Sequence, residues 1–277
     1  MASLCAAFRD LLLVTSVSGI SAAELHVIAS GTLVEAFSEL VPAFERATQN
    51  KLVVVFGASV ASAPDSVQKR LERGDRADIV ILAKEGLNRL INAGRVVPGT
   101  NVDIVQSSIG VAVRAGTPRP DVSSVDALRR TLLAAGSIAY SSSLSGVYVS
   151  RELLPRLGIA EAVKSKAKQI DGRVGDAIAR GEAEIGFQQI SELLPVRGVQ
   201  YVGPLPPAVQ RTTTISAGLA ANARNTQAGY ALIRFLTSTV AAPVMLKHGL
   251  DPVVRTGDSR RDPTKSQKRS SSRLVRR

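Results

Sequence analysis

The sequence predicts an α/β fold built as two units, and three observations carry that expectation. Short apolar, β-branched runs alternate with amphipathic helical stretches from Glu24 onward, the pattern of strands covered by helices. The character of the chain changes near residue 108 and returns to its earlier character near 214. The composition, 277 residues with 45% hydrophobic and 21% charged side chains, supplies apolar mass for one large core or two smaller ones.

In order, Leu25–Ala29 reads as a buried strand ending at Ser30-Gly31-Thr32. Leu33, Val34, Phe37, Leu40, Val41 and Phe44 then recur at three- and four-residue spacing, a helix to Ala47. Lys51–Phe56 is a second strand that breaks at Gly57, and Ser62 or Asp65 can cap a helix through Leu71, closed by Gly74. A third strand, Ala77–Leu82, precedes a third helix, Gly86–Ala93. This βαβαβα order implies a parallel sheet.

Beyond it, Val102–Ala115 is extended, and Ser123 or Ser124 caps a helix to Leu133. Ser137–Tyr140 is a strand running into Ser141-Ser142-Ser143, followed by a helix from Gly146 to Leu157. Gly172–Arg180 is helical, Ala183–Phe187 a strand, and Ser191 starts a short helix; Gly203–Pro207 reads as a rigid loop. Thr212–Ala220 is extended, with helices at 225–237 and 239–247. The economical arrangement has the chain crossing to a second lobe near 108 and returning near 214: residues 24–108 and 214–254 form lobe I, and 109–213 lobe II.

The ends read differently. Arg9, the apolar run from Leu11 to Ile20 and the small residues Ser21-Ala22-Ala23 have the layout of a secretory signal peptide over residues 1–23, cleaved after Ala23. The one cysteine, Cys5, lies ahead of that run, so a lipid anchor at the cleavage point is not expected. The mature chain would lack cysteine, which removes disulfides and thiolate chemistry. Residues 255–277 carry nine Lys/Arg against Asp258 and Asp262, a large share of the formal +12. They read as a basic disordered tail. Ten aromatics and no Trp argue against a base-stacking nucleic-acid surface.

Candidate chemistry gathers where strands end in small hydroxyl residues before a helix: Ser30-Gly31-Thr32, Ala58-Ser59, Ser141-Ser142, and the Arg173-Val174 entrance. Free N–H groups and the helix dipole suit such places to anions, although each Ser can equally cap its own helix. Open parallel sheets bind ligands beyond the carboxyl ends of their strands.

The stretches IASGTLVEAFSELVPAFE (28–45), VVVFGAS (53–59), RGDRADIVILA (73–83), LINAGRV (90–96), RGEAEIGFQQISEL (180–193) and ALIRFLTSTVAAPVMLKHGLDP (231–252) resemble the periplasmic molybdate-binding proteins of ABC importers. The similarity runs over essentially all of 24–254. It implies a two-lobed type II periplasmic binding protein, each lobe a mixed, mainly parallel sheet flanked by helices. It further implies an exported, periplasmic, monomeric protein that performs no chemistry and needs no metal or cofactor. Its partners would be a small anionic ligand and a membrane-embedded ABC permease, not nucleic acid. By position, Ser30 and Ser59 match the oxyanion-binding serines of the first lobe, and the segments at Ser141 and Val174 match donors of the second. Gln189 stands where molybdate binders usually have a Tyr beside a Ser-Asp pair, and Ser191-Glu192 follows. The amides of Gln188 and Gln189 and the guanidinium of Arg173 would then suit a small di- or tricarboxylate.

Two alternatives belong to other classes. Gly57-Ala58-Ser59-Val60-Ala61 resembles a nucleophile elbow lacking its last Gly, with His248 and Asp176 or Asp251 as nominal partners, a serine hydrolase. The effector domain of a transcription regulator would share the two-lobed fold but would require an N-terminal DNA-binding segment. With two histidines in all and His26 expected in a packed strand, zinc-ligand spacing is missing. Nucleotide-binding glycine motifs are missing too.

Overall fold

The computed structural model describes residues 23–60 and 63–253. Ala61, Ser62, the chain from residue 254 on with its basic tail, and the residues ahead of Ala23 that read as a signal peptide lie outside the described residues. Strand β1 (Glu24–Ser30) leads through a single 3-10 turn into helix α1 (Val34–Thr48), then β2 (Lys51–Gly57), α2 (Val67–Glu72), β3 (Ile79–Ala83) and α3 (Lys84–Asn92). β1 lies between β2 and β3, parallel to both, so the first three strands end on the same side. Leu25, Val27 and Ala29 pack on the face covered by α1, while Ile28 packs on the opposite face with Val80 and Leu87. This alternation is the period-2 geometry of a strand covered on both sides. Ser66 caps α2 by accepting from the Lys69 N–H; Asp65 does not.

The long strand β4 (Val102–Arg114) carries the chain from one core to the other. The second half follows: α4 (Val125–Ala134), capped by Ser124; β5 (Ile138–Ser141); α5 (Leu144–Tyr148); a π turn at Val149–Leu153; α6 (Leu154–Arg156) and α7 (Ala160–Val163). Then come β6 (Ala167–Ile170), α8 (Val174–Ala179), β7 (Ile185–Gln189), α9 (Ile190–Leu193) and β8 (Val199–Pro204). The helix expected over 146–157 is therefore three pieces. Gly203-Pro204, expected in a loop, ends a strand paired with β4. β9 (Thr212–Leu219), α10 (Thr226–Leu236), α11 (Ala242–Lys247) and β10 (Leu250–Pro252) complete the first core.

The strand order is β2-β1-β3-β9-β4-β7-β5-β6, with β8 and β10 also pairing β4. Parallel pairs sit on the two flanks, and the strands around β4 run antiparallel. One core draws on Leu25, Phe44, Ile79, Ile104 and Leu232, the other on Ile109, Leu128, Leu132, Ile138 and Phe187. His26 is not a packed core residue: its Nε2 lies 2.7 Å from Glu24 Oε1. The buried carboxylate of Asp78 is the polar keystone of the first half. Burial opposes its charge, but the N–H groups of His26, Arg224 and Asn225 donate to it at 2.9, 2.7 and 3.1 Å and hold its pKa below the ordinary value. It thereby ties β1, β3 and the turn before α10 together. No helix among the described residues is long and apolar enough to cross a membrane.

Candidate functional site

The strand registers bring the candidate residues together. Ser30 pairs with Gly57 at the carboxyl ends of β1 and β2, and Ser141 pairs with Ile170 at the ends of β5 and β6. Gln188 and Gln189 end β7 opposite Gly110 and Ile109. All of them face one cavity of about 670 Å³. Ser30, Gly31, Thr32, Ala58, Ser59, Ser141, Ser142, Arg173, Gln188 and Gln189 line it. Val174 does not reach it: its side chain packs in a smaller cluster with Ala112, Ala139 and Ile178, and its N–H donates to Gln188 Oε1 at 2.8 Å.

The hydroxyls form two clusters. Ser30 Oγ and Ser59 Oγ are 2.8 Å apart. Ser141 Oγ lies 2.7 Å from Ser143 Oγ and 3.0 Å from Ser145 Oγ. Each cluster rests on a backbone approach that only glycine permits. A Cβ on Gly57 would sit 2.6 Å from the Asp65 carbonyl oxygen, and one on Gly146 only 1.6 Å from that of Ser141. The loops after β2 and β5 are thereby pressed against the strand ends. Gln189 Oε1 accepts from Ser107 Oγ at 2.9 Å, so both glutamines spend their carbonyls on the protein, and the side-chain amide of Gln188 also engages Glu192. Arg173, 41% exposed, reaches Glu35 on α1 at 3.1 Å and joins the two halves across the cavity mouth.

Glu192, on the first turn of α9, also lines the cavity. Its Oε2 is sealed from solvent and has no hydrogen-bond partner. Burial pushes its carboxyl up to about 7; the Gln188 side chain and the charge of Arg173 offset this only in part. A cavity lined by hydroxyls, amides, one guanidinium, the aspartates Asp65 and Asp171 and a carboxyl poised near neutrality offers donors to an anion and a group that can exchange a proton with it.

The sequence pattern of the family described as bacterial extracellular solute-binding protein matches residues 25–251. The chain belongs to this family. Among curated relatives of this solute-binding protein is an aconitate isomerase from a Pseudomonas species, 40% identical over 230 residues, which cover 83% of this chain and 88% of the relative. Solved structures share the fold. The periplasmic molybdate-binding protein of Azotobacter vinelandii has a TM-score of 0.65 at 16% identity, covering 82% of this chain and 98% of that one. The sulfate-binding protein SubI of Mycobacterium tuberculosis has a TM-score of 0.66 at 19% identity, covering 87% and 88%.

A hydrolase constellation does not form in this solute-binding protein. The hydroxyl of Ser59 partners Ser30, while His248 Nε2 lies 2.7 Å from Glu39 Oε1 at the end of α11. No imidazole stands ready to take a proton from Ser59. In the sequence, Glu192 carries no signal beyond its place after Ser191, in the pair that follows β7. Asp65, Asp171 and Thr213 also line the cavity and carry no motif.

Proposed function

We propose that this protein captures a small tricarboxylate of the aconitate class in its cavity. The observation that carries the reading is the conjunction of site and relative. Ten residues expected at an anion site converge on one cavity, in a chain 40% identical over most of its length to a protein named for aconitate. The size supports an organic ligand, since about 670 Å³ falls within the roughly 300–1,000 Å³ of small-molecule clefts and exceeds what a tetrahedral oxyanion fills. Serine hydroxyls and glutamine amides would take two carboxylates, and Arg173 a third in exchange for Glu35. Capture takes place outside the cytoplasm, after removal of residues 1–23. The protein acts as a monomer whose two halves, 24–108 with 214–254 and 109–213, hinge at the crossings and present the closed form to an ABC permease.

A thermal-shift series tests it. Aconitate, citrate and tricarballylate are expected to raise the melting temperature, by ~2.7 kcal/mol of added stability at a hundredfold excess over Kd. Molybdate, tungstate and sulfate are expected to leave it unchanged. A shift with the oxyanions alone refutes the carboxylate reading and restores the molybdate-like one.

A further inference from the structure

We infer that Glu192 is an acid–base group that moves a proton between two carbons of a tricarboxylate bound in this cavity, so that the protein isomerises its ligand. The inference rests on the tricarboxylate reading above and adds a chemical step to a site expected to do none. Three features of the site support it. Glu192 lines the cavity while its Oε2 is closed to solvent and makes no hydrogen bond. A buried carboxyl oxygen without a partner is costly, and fold stability does not call for one here. The donors that would hold a ligand's carboxylates, the serines at the ends of β1, β2 and β5 with Gln189, belong to other elements than α9, and the Gln188 side chain that reaches Glu192 still leaves its Oε2 without a partner. Finally, burial places its proton affinity near neutrality, where one group can both accept and return a proton.

The chemistry balances without a cofactor. Aconitate carries a methylene carbon at one end of an allylic system and a vinyl C–H at the other, each bearing a carboxylate. The Glu192 carboxylate takes a proton from the methylene carbon. The C–H electron pair spreads over the three allylic carbons and into the adjacent carboxylates, which the cavity's hydroxyl and amide donors stabilise. The Glu192 carboxyl then returns the proton to the former vinyl carbon. The double bond has moved by one position, and forms in either geometry, which interconverts cis and trans isomers. No atom, electron or proton is gained or lost.

The experiment follows trans-aconitate with the full-length protein by proton NMR, with binding measured in parallel by calorimetry. Wild type is expected to bind trans-aconitate and to form the cis isomer. Glu192→Gln, which removes an ionisable group from a buried position and keeps its shape, is expected to fold and still bind, with turnover at saturation lowered about 10²–10⁴-fold. Glu192→Asp, which keeps the carboxyl but withdraws it by one methylene, is expected to retain a measurable part of the rate. Binding by wild type without isomerisation overturns the inference and leaves the capture reading standing. Isomerisation by Glu192→Gln at the wild-type rate likewise overturns it. Absence of binding by wild type removes the capture reading and the inference together.

Discussion

Replacing Glu192 by Gln removes a carboxyl that burial pushes up to about 7, and the effect on stability has a defined pH signature. A rise from the ordinary 4.5 to about 7 corresponds to roughly 3 kcal/mol, at about 1.4 kcal/mol per unit. Below pH 4.5 the carboxyl is protonated in both the folded and the unfolded chain, and Glu and Gln depend on pH alike. Between 4.5 and 7 the unfolded chain ionises while the folded one keeps its proton, so wild type loses stability as pH rises. Above 7 the loss is complete. The charge that bears on the group is Arg173, itself paired with Glu35, while Asp65 and Asp171 line the same cavity, and all of these are common to the two proteins. The stability difference, Glu192→Gln minus wild type, is therefore expected to grow by roughly 3 kcal/mol between pH 4 and pH 8 in urea titrations. A difference that stays flat across this range means that Glu192 is ionised at its ordinary pH in the fold, and the reasoning about its burial fails.

Other consequences are directly measurable. Bringing a tricarboxylate beside Glu192 at pH 7.5 should drive proton uptake, seen as a binding enthalpy that differs between buffers of different ionisation heat; buffer-independent enthalpy refutes it. Ser59→Ala should weaken tricarboxylate binding by about 1–3 kcal/mol in calorimetry, whereas unchanged affinity makes the Ser30–Ser59 pair purely structural. Asp78→Ala orphans three N–H donors and should cost about 3–5 kcal/mol. Because the folded pKa of Asp78 is depressed, its contribution is present above its unfolded value and fades as pH falls through the folded one, so the variant and wild type should converge in acid. Gly146→Ala forces a methyl onto the Ser141 carbonyl and should cost more than about 3 kcal/mol; a well-folded variant of wild-type stability would show that the loop after β5 yields.

The parts of the fold legible in the sequence are those with dense local signals. β1, β2 and β3 are continuous apolar runs because helices cover both faces of the sheet, and position narrows the cap of α4 to Ser123 or Ser124, of which Ser124 takes it. β6, with the sequence Ala-Lys-Gln-Ile, was invisible because an edge strand has neither an apolar run nor clean alternation. β10 has three residues, too few for any period. The serine clusters were readable since each follows a strand end, a local feature. Glu192 was not, because its character comes from packing against elements far away in sequence. Val174 was placed in the site for its position at a helix entrance, but its N–H is satisfied by Gln188, a partner fourteen residues away that local reasoning cannot supply.

β4 runs through both halves of the sheet without a break. Its first residues, Val102–Ser108, pair with β9, and its last, Ile109–Arg114, with β7 and β8. Neither core can lose its share of β4 without taking the strand from the other. The two halves, although separately packed, are thus coupled in denaturation, and the molecule should melt in one cooperative transition rather than two. Backbone amides along β4 should exchange with solvent only through global opening, and as slowly in one half as in the other.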